Sequence, residues 1–155
     1  MAPTGGAPAP STKPGAPPFH LHLPVPVLAA INGPAIGAGM CLALACDLRV
    51  CARNAKLGLT FVGLGLHPGM GATHILPLLA GHQVASRLLL TGDIIDGDEA
   101  LRLGLVAEAV ETDQVLPRTL DIARRMAAAA AIGVHLDPAE QRVIPDRVLL
   151  LLDRL

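Results

Sequence analysis

The sequence predicts an α/β fold, and three observations carry that prediction. Short apolar runs closed by turn residues recur in the first part of the chain, as buried parallel strands do. A glycine-rich turn, Gly37-Ala38-Gly39, leads into a segment that is apolar on every side, Met40 to Cys46. Such a segment fits a short helix buried all round. From Gly69 onward helical spacing takes over.

Order is expected to begin near Leu23. The run Val25 to Ile31 reads as a buried strand that Asn32-Gly33-Pro34 ends. After the buried helix, Asp47 to Ala52 alternates charged and apolar residues like a strand, and Lys56 to Leu59 reads as a shorter one. Ile75, Leu76, Leu78 and Leu79 predict a helix closed by Gly81, and Val84 to Leu90 a second that stops at Gly92. Asp98 to Gly104 is a third, with acids in the first turn, where the helix dipole favours them. Leu105-Val106-Ala107 is read as a strand. A longer helix is expected over about Thr112 to Ala131, with Pro117 in its first turns, where proline is tolerated.

The two ends differ from this middle. Residues 1–22 form a leader rich in Pro, Ala and Gly, with Lys13 as the one charge before Pro18. It lacks the apolar centre of a secretory signal and is expected to be disordered. Residues 132–155 form a divergent tail punctuated by Pro138 and Pro145, in which Val148 to Leu152 is read as a terminal helix.

Composition narrows the class. A length of 155 residues allows at most one ordinary domain. Hydrophobic residues make up 52% and aromatics 1%, so the core must be built from Leu, Val, Ile and Ala. With 12 basic and 13 acidic side chains and no basic stripe, no nucleic-acid partner is expected. Mean hydropathy is +0.52. Yet no apolar run reaches the roughly 18–20 residues of a membrane helix, so no membrane association is expected and the cytoplasm is the default. Cys41, Cys46 and Cys51 are odd in number, which argues against a disulfide framework. A step of five on a helix turns about 140° from the starting face, so Cys41 and Cys46 do not converge on one metal, and no metal is expected.

The chemistry concentrates at Gly37-Ala38-Gly39. A helix N-terminus presents unpaired N–H groups with partial positive charge, and glycine lets another group approach them closely. Such a place binds an anion or stabilises an oxyanion. Glycines needed only for tight strand–helix packing would give the same pattern. It is neither a dinucleotide fingerprint, since Leu42 stands where a third glycine would fall, nor a P-loop, since no Gly-Lys-Ser/Thr follows.

Several blocks then occur in a telling order: Pro26 to Gly39 with Leu42 to Asp47, Ala55-Lys56-Leu57-Gly58, Leu64 to Thr73, Leu90-Thr91-Gly92-Asp93, and Ala100 to Val106. Together they resemble the crotonase, or enoyl-CoA hydratase/isomerase, family over roughly Leu23 to Ala131. The resemblance implies a crotonase-like spiral of ββα turns, usually assembled as trimers. It implies an acyl-CoA thioester as substrate, with no separate cofactor, and two backbone N–H groups that hold the thioester oxygen. One of those donors matches Ala38. Ile36, Gly37, Gly39, Cys41, Phe61 and Leu64 are then the expected substrate-binding positions.

Departures matter as much as matches. The second donor normally comes from an earlier segment, and only 31 residues precede Asn32. The fold is therefore expected to be incomplete at its N-terminus. The two glutamates of the family's hydratases would fall at Cys41 and Phe61, and neither is a carboxylate base, so simple water addition is not expected. Isomerisation, decarboxylation and thioester hydrolysis remain as reactions. The alternative is a non-catalytic remnant that binds or assembles with full-length relatives. An unrelated ligand-binding module with a glycine loop is a third reading. Among other polar residues, His67 and His74 suit surface or cap positions, and the break at Gly69 to Gly71 puts them off a common helical face. Asp47 is expected to pair or cap locally.

Overall fold

A computed structural model describes residues 26–133 and 149–152. The leader expected over residues 1–22 and the expected start of order at residues 23–25 lie outside the described residues, as do residues 134–148 and 153–155 of the tail. Elements follow in the order β1 (Val27–Ile31), β2 (Ala35–Ile36), α1 (Ala38–Ala45), β3 (Leu48–Ala52), β4 (Leu57–Gly58), a 3-10 helix at Thr60–Leu64, α2 (Ala72–Ala80), α3 (His82–Thr91), β5 (Ile94–Ile95), α4 (Gly97–Arg102), β6 (Glu108–Val110), a 3-10 turn at Thr112–Gln114, α5 (Val115–Gly133) and β7 (Leu149–Leu152).

β1 is buried at all five positions, which is why its sequence shows no alternation. It lies inside a parallel sheet of order β6-β3-β1-β7, with Leu28 opposite Leu48 and Ile31 opposite Cys51. A second small sheet has the order β2-β4-β5. In it β2 runs parallel to β4, and β5 antiparallel to it. Helix α5 packs on β1 and β3, while α1 packs on α2 and β2. Leu28, Val50, Leu57, Leu76, Leu105 and Val115 are fully buried, so the core is aliphatic as composition requires. Buried Thr119 sits inside α5 with its hydroxyl donating to the Val115 carbonyl at 2.7 Å, so no polar group is left unpaired there.

Two expectations are corrected. The strand near residue 105 is β6 at Glu108–Val110, not Leu105 to Ala107. Leu105 and Val106 are apolar because they are buried in the turn before it, where the Leu105 N–H donates to Ala100 O at 2.9 Å. The apolar run in the tail is strand β7, paired with β1 in the register Val27 to Leu149, not a helix. A run of that length has no readable period, and the backbone edge of β1 decides its state. β3, read as charged/apolar alternation, is buried over its last four residues, Arg49 included.

Candidate active site

The site is built on a glycine that no other residue could replace without strain. Gly37 has φ 56° and ψ −115°, outside the regions L-residues favour. Its N–H donates to Gly58 O at 2.8 Å, and the Ala35 N–H donates to Lys56 O at 2.8 Å. The chain is thereby held against β4 just before it turns into α1.

Helix α1 begins at Ala38, and its N-cap, Gly37, has no side chain with which to cap it. The Cys41 N–H donates to Gly37 O at 3.0 Å, which closes the first turn. The N–H groups of Ala38, Gly39 and Met40 precede that bond and belong to the orphan donors of a helix start. Of these residues Met40 is buried, Gly39 is partly buried and Ala38 is exposed. Among the described residues no acceptor pairs with the Ala38 N–H. An accessible donor therefore sits at the positive end of the helix dipole.

The other expected site residues divide. Ile36 is half-buried in β2 beside the turn. Cys41 is 1% exposed, and its thiol lies 3.7 Å from Gly69 O. Burial pushes the Cys41 thiol up from its ordinary pKa, which disfavours the thiolate that a nucleophile needs. Phe61 is half-buried and packs against the core. Leu64 is 74% exposed and stands apart from the core. The segment that carries Phe61 and Leu64 is tied to α1 at both ends, through Gly58 to Gly37 and through Gly69 to Cys41. His67 precedes α2 and His74 lies within it, so they share no helical face, and both are exposed.

One residue went unmarked in the sequence. Arg49, on β3, is 7% exposed. Its Nε donates to Leu105 O at 2.7 Å. Its Nη1 donates to Cys46 O at 2.6 Å and to Ala43 O and Leu44 O at 3.3 Å each. Burial lowers its pKa, and Cys46 and Asp47 act the other way. Arg49 lies in the buried part of β3, which gives its side chain no exit to water. Asp47, expected to pair locally, accepts from the Val27 N–H of β1 at 2.7 Å.

The sequence profile described as enoyl-CoA hydratase/isomerase matches residues 20–139. The chain belongs to that family. It is 46% identical over 114 residues to a crotonyl-CoA hydratase of Syntrophomonas wolfei, covering 74% of this chain and 44% of the relative. It is 42% identical over 116 residues to an (E)-benzylidenesuccinyl-CoA hydratase of Thauera aromatica, covering 75% and 45%. Among solved structures, an enoyl-CoA hydratase from Bacillus anthracis superposes with a TM-score of 0.64 at 37% identity, covering 79% of this chain and 52% of that one. The chain thus spans less than half the length of these curated relatives, and it has the crotonase fold over the part it covers.

Around the Ala38 N–H lie the buried Cys41 of α1 and the half-buried aromatic Phe61. None of Ile36, Gly37, Ala38, Gly39, Cys41, Gly58, Phe61 and Gly69 is a carboxylate. Among the described residues no helix is long and apolar enough to cross a membrane.

Proposed function

We propose that this chain binds an acyl-CoA thioester with its carbonyl oxygen at the start of α1, where the Ala38 N–H is the donor. The uncapped, accessible N–H at a glycine-held turn carries this reading. Ile36, Gly37 and Gly39 frame the approach to the oxygen, and Phe61 and Leu64 offer apolar surface to the acyl group, with buried Cys41 packed behind the turn. A donor of this kind acts most strongly once negative charge develops on the oxygen, as it does in enolate-type chemistry. Hydration also needs a group that moves a proton. The two positions that the resemblance assigns to glutamates hold a thiol and a phenyl ring. Water addition to an enoyl thioester is therefore not the reaction proposed.

A second reading is a family member that binds the thioester without turning it over and works as a binding or assembly partner. It is favoured by the same pair, Cys41 and Phe61. Calorimetry with crotonyl-CoA, acetyl-CoA and free CoA tests the shared part. Binding of the thioesters in preference to free CoA is expected, and silence at about 1 mM ligand would sink both readings. Release of free CoA thiol, or loss of the conjugated enoyl absorbance, on incubation would separate the enzyme from the binder.

A further inference from the structure

We infer that Arg49 is a positioning residue for the Ala38 donor, acting through the length of α1. This rests on the reading of Ala38 as the group that meets the thioester oxygen. Helix α1 has eight residues, AGMCLALA, with no charged side chain and no side-chain cap. Isolated helices shorter than roughly 12–15 residues do not hold themselves in water. Its position therefore depends on what grips it from outside.

Polar contacts hold it at both ends, beside the Cys41 thiol on Gly69 O and the Asp47–Val27 bonds just past its end. At the N-terminal end the backbone of Gly37 is bonded to Gly58. At the C-terminal end one guanidinium collects three carbonyls of the last turn, of which Ala43 O also accepts from the Cys46 N–H at 3.2 Å. Arg49 Nη1 takes Ala43 O, Leu44 O and Cys46 O, while Nε reaches across to Leu105 O. The Arg49 backbone holds the same turn, since its carbonyl accepts from the Ala107 N–H at 2.9 Å. One side chain thus fastens α1 to β3 and to the turn before β6. The fork geometry is essential, because a guanidinium presents separate donors in fixed directions and an ammonium is a single point. The positive charge also lies at the helix end where the dipole favours it. With the far end held, α1 behaves as a short rigid rod, and the Ala38 N–H at its other end keeps its place relative to Gly58 and Gly69.

The test uses the full chain, as wild type and as Arg49→Lys and Arg49→Met, with Arg102→Ala as a surface-arginine control. Amide exchange and amide chemical shifts are read residue by residue. In Arg49→Lys we expect the Ala38 and Gly39 resonances to move and the α1 amides to exchange about tenfold faster, while those of α3 keep their wild-type rates. Arg49→Met, if it folds, shows the same pattern more strongly. A uniform rise across α1, α3 and α5 would mean general stability only and would overturn the inference, as would unmoved Ala38 and Gly39 resonances. The second readout is the thioester C=O stretching band of bound crotonyl-CoA. Its shift to lower frequency in the wild type shrinks in Arg49→Lys. If the wild type binds no thioester, the reading of Ala38 fails, and the amide data still decide whether Arg49 places that N–H.

Discussion

At Gly97 the fold tolerates no side chain. A Cβ there would lie 2.1 Å from the Ala52 carbonyl oxygen and 2.9 Å from the Cys51 sulfur. The Gly97 N–H donates to Arg53 O at 2.9 Å, so α4 starts hard against the end of β3. Gly97→Ala must push backbone from backbone, and we expect a loss of about 2–3 kcal/mol, read as a lower urea midpoint. Cys51 beneath it sets a pH response. Burial, and then the negative charges of Asp98 and Asp96, push its thiol up to about 11. An unfolded thiol titrates near roughly 8.5, so on raising the pH the unfolded chain loses its proton first. The stabilisation is therefore fully present below that value and is lost as the pH rises toward about 11. Melting temperature followed through this window should fall, and Cys51→Ala should make the fall shallower.

At the scale of elements, α1 is decisive because its first residue and its last carbonyls do different things. Ala38 is the first helical position, where proline keeps the helix and deletes only the N–H. Ala38→Pro should therefore leave the circular-dichroism melt within about 0.5 kcal/mol of wild type. The preference for crotonyl-CoA over free CoA should fall by up to about tenfold, as for one lost hydrogen bond. If the chain turns thioesters over, the rate should fall about 10²–10³-fold. Unchanged thioester affinity and rate in a well-folded Ala38→Pro would remove Ala38 from the site.

At the scale of the described residues taken together, several large apolar side chains are exposed. Four exposed residues, Val62, Leu64, Leu66 and Met70, fall on one stretch after β4, and Leu78 and Leu90 are 72% and 75% exposed on α2 and α3. Large exposed apolar patches mark association surfaces or aggregation hazards. We expect concentration-dependent association in sedimentation velocity, reduced by the pair Leu64→Ser and Leu66→Ser. A monodisperse monomer at all concentrations would contradict it.

Much of this protein was legible before any coordinates. The buried strand β1, the glycine turn and the all-apolar α1 follow from local composition, and glycines close α2 and α3 where helical spacing stops. The family follows from several blocks in one order, most of them holding a positive-φ glycine such as Gly37, Gly71, Gly92 or Gly104. Tertiary structure alone decided the rest. Leu105 and Leu149 to Leu152 are short apolar stretches, and only the partner available to each made one a buried turn and the other a strand. β2 and β5 have two residues each, too few to carry a period. Arg49 gave no signal of its own in the sequence, because charged/apolar alternation suggests a strand but not that β3 is buried at Arg49 as well as at Val50. The glycine turn of Gly37 to Gly39 was visible as a place where a donor could stand. Which neighbours hold that donor, Gly58 at one end of α1 and Arg49 at the other, depends on contacts between segments distant in the chain, and no local pattern encodes them.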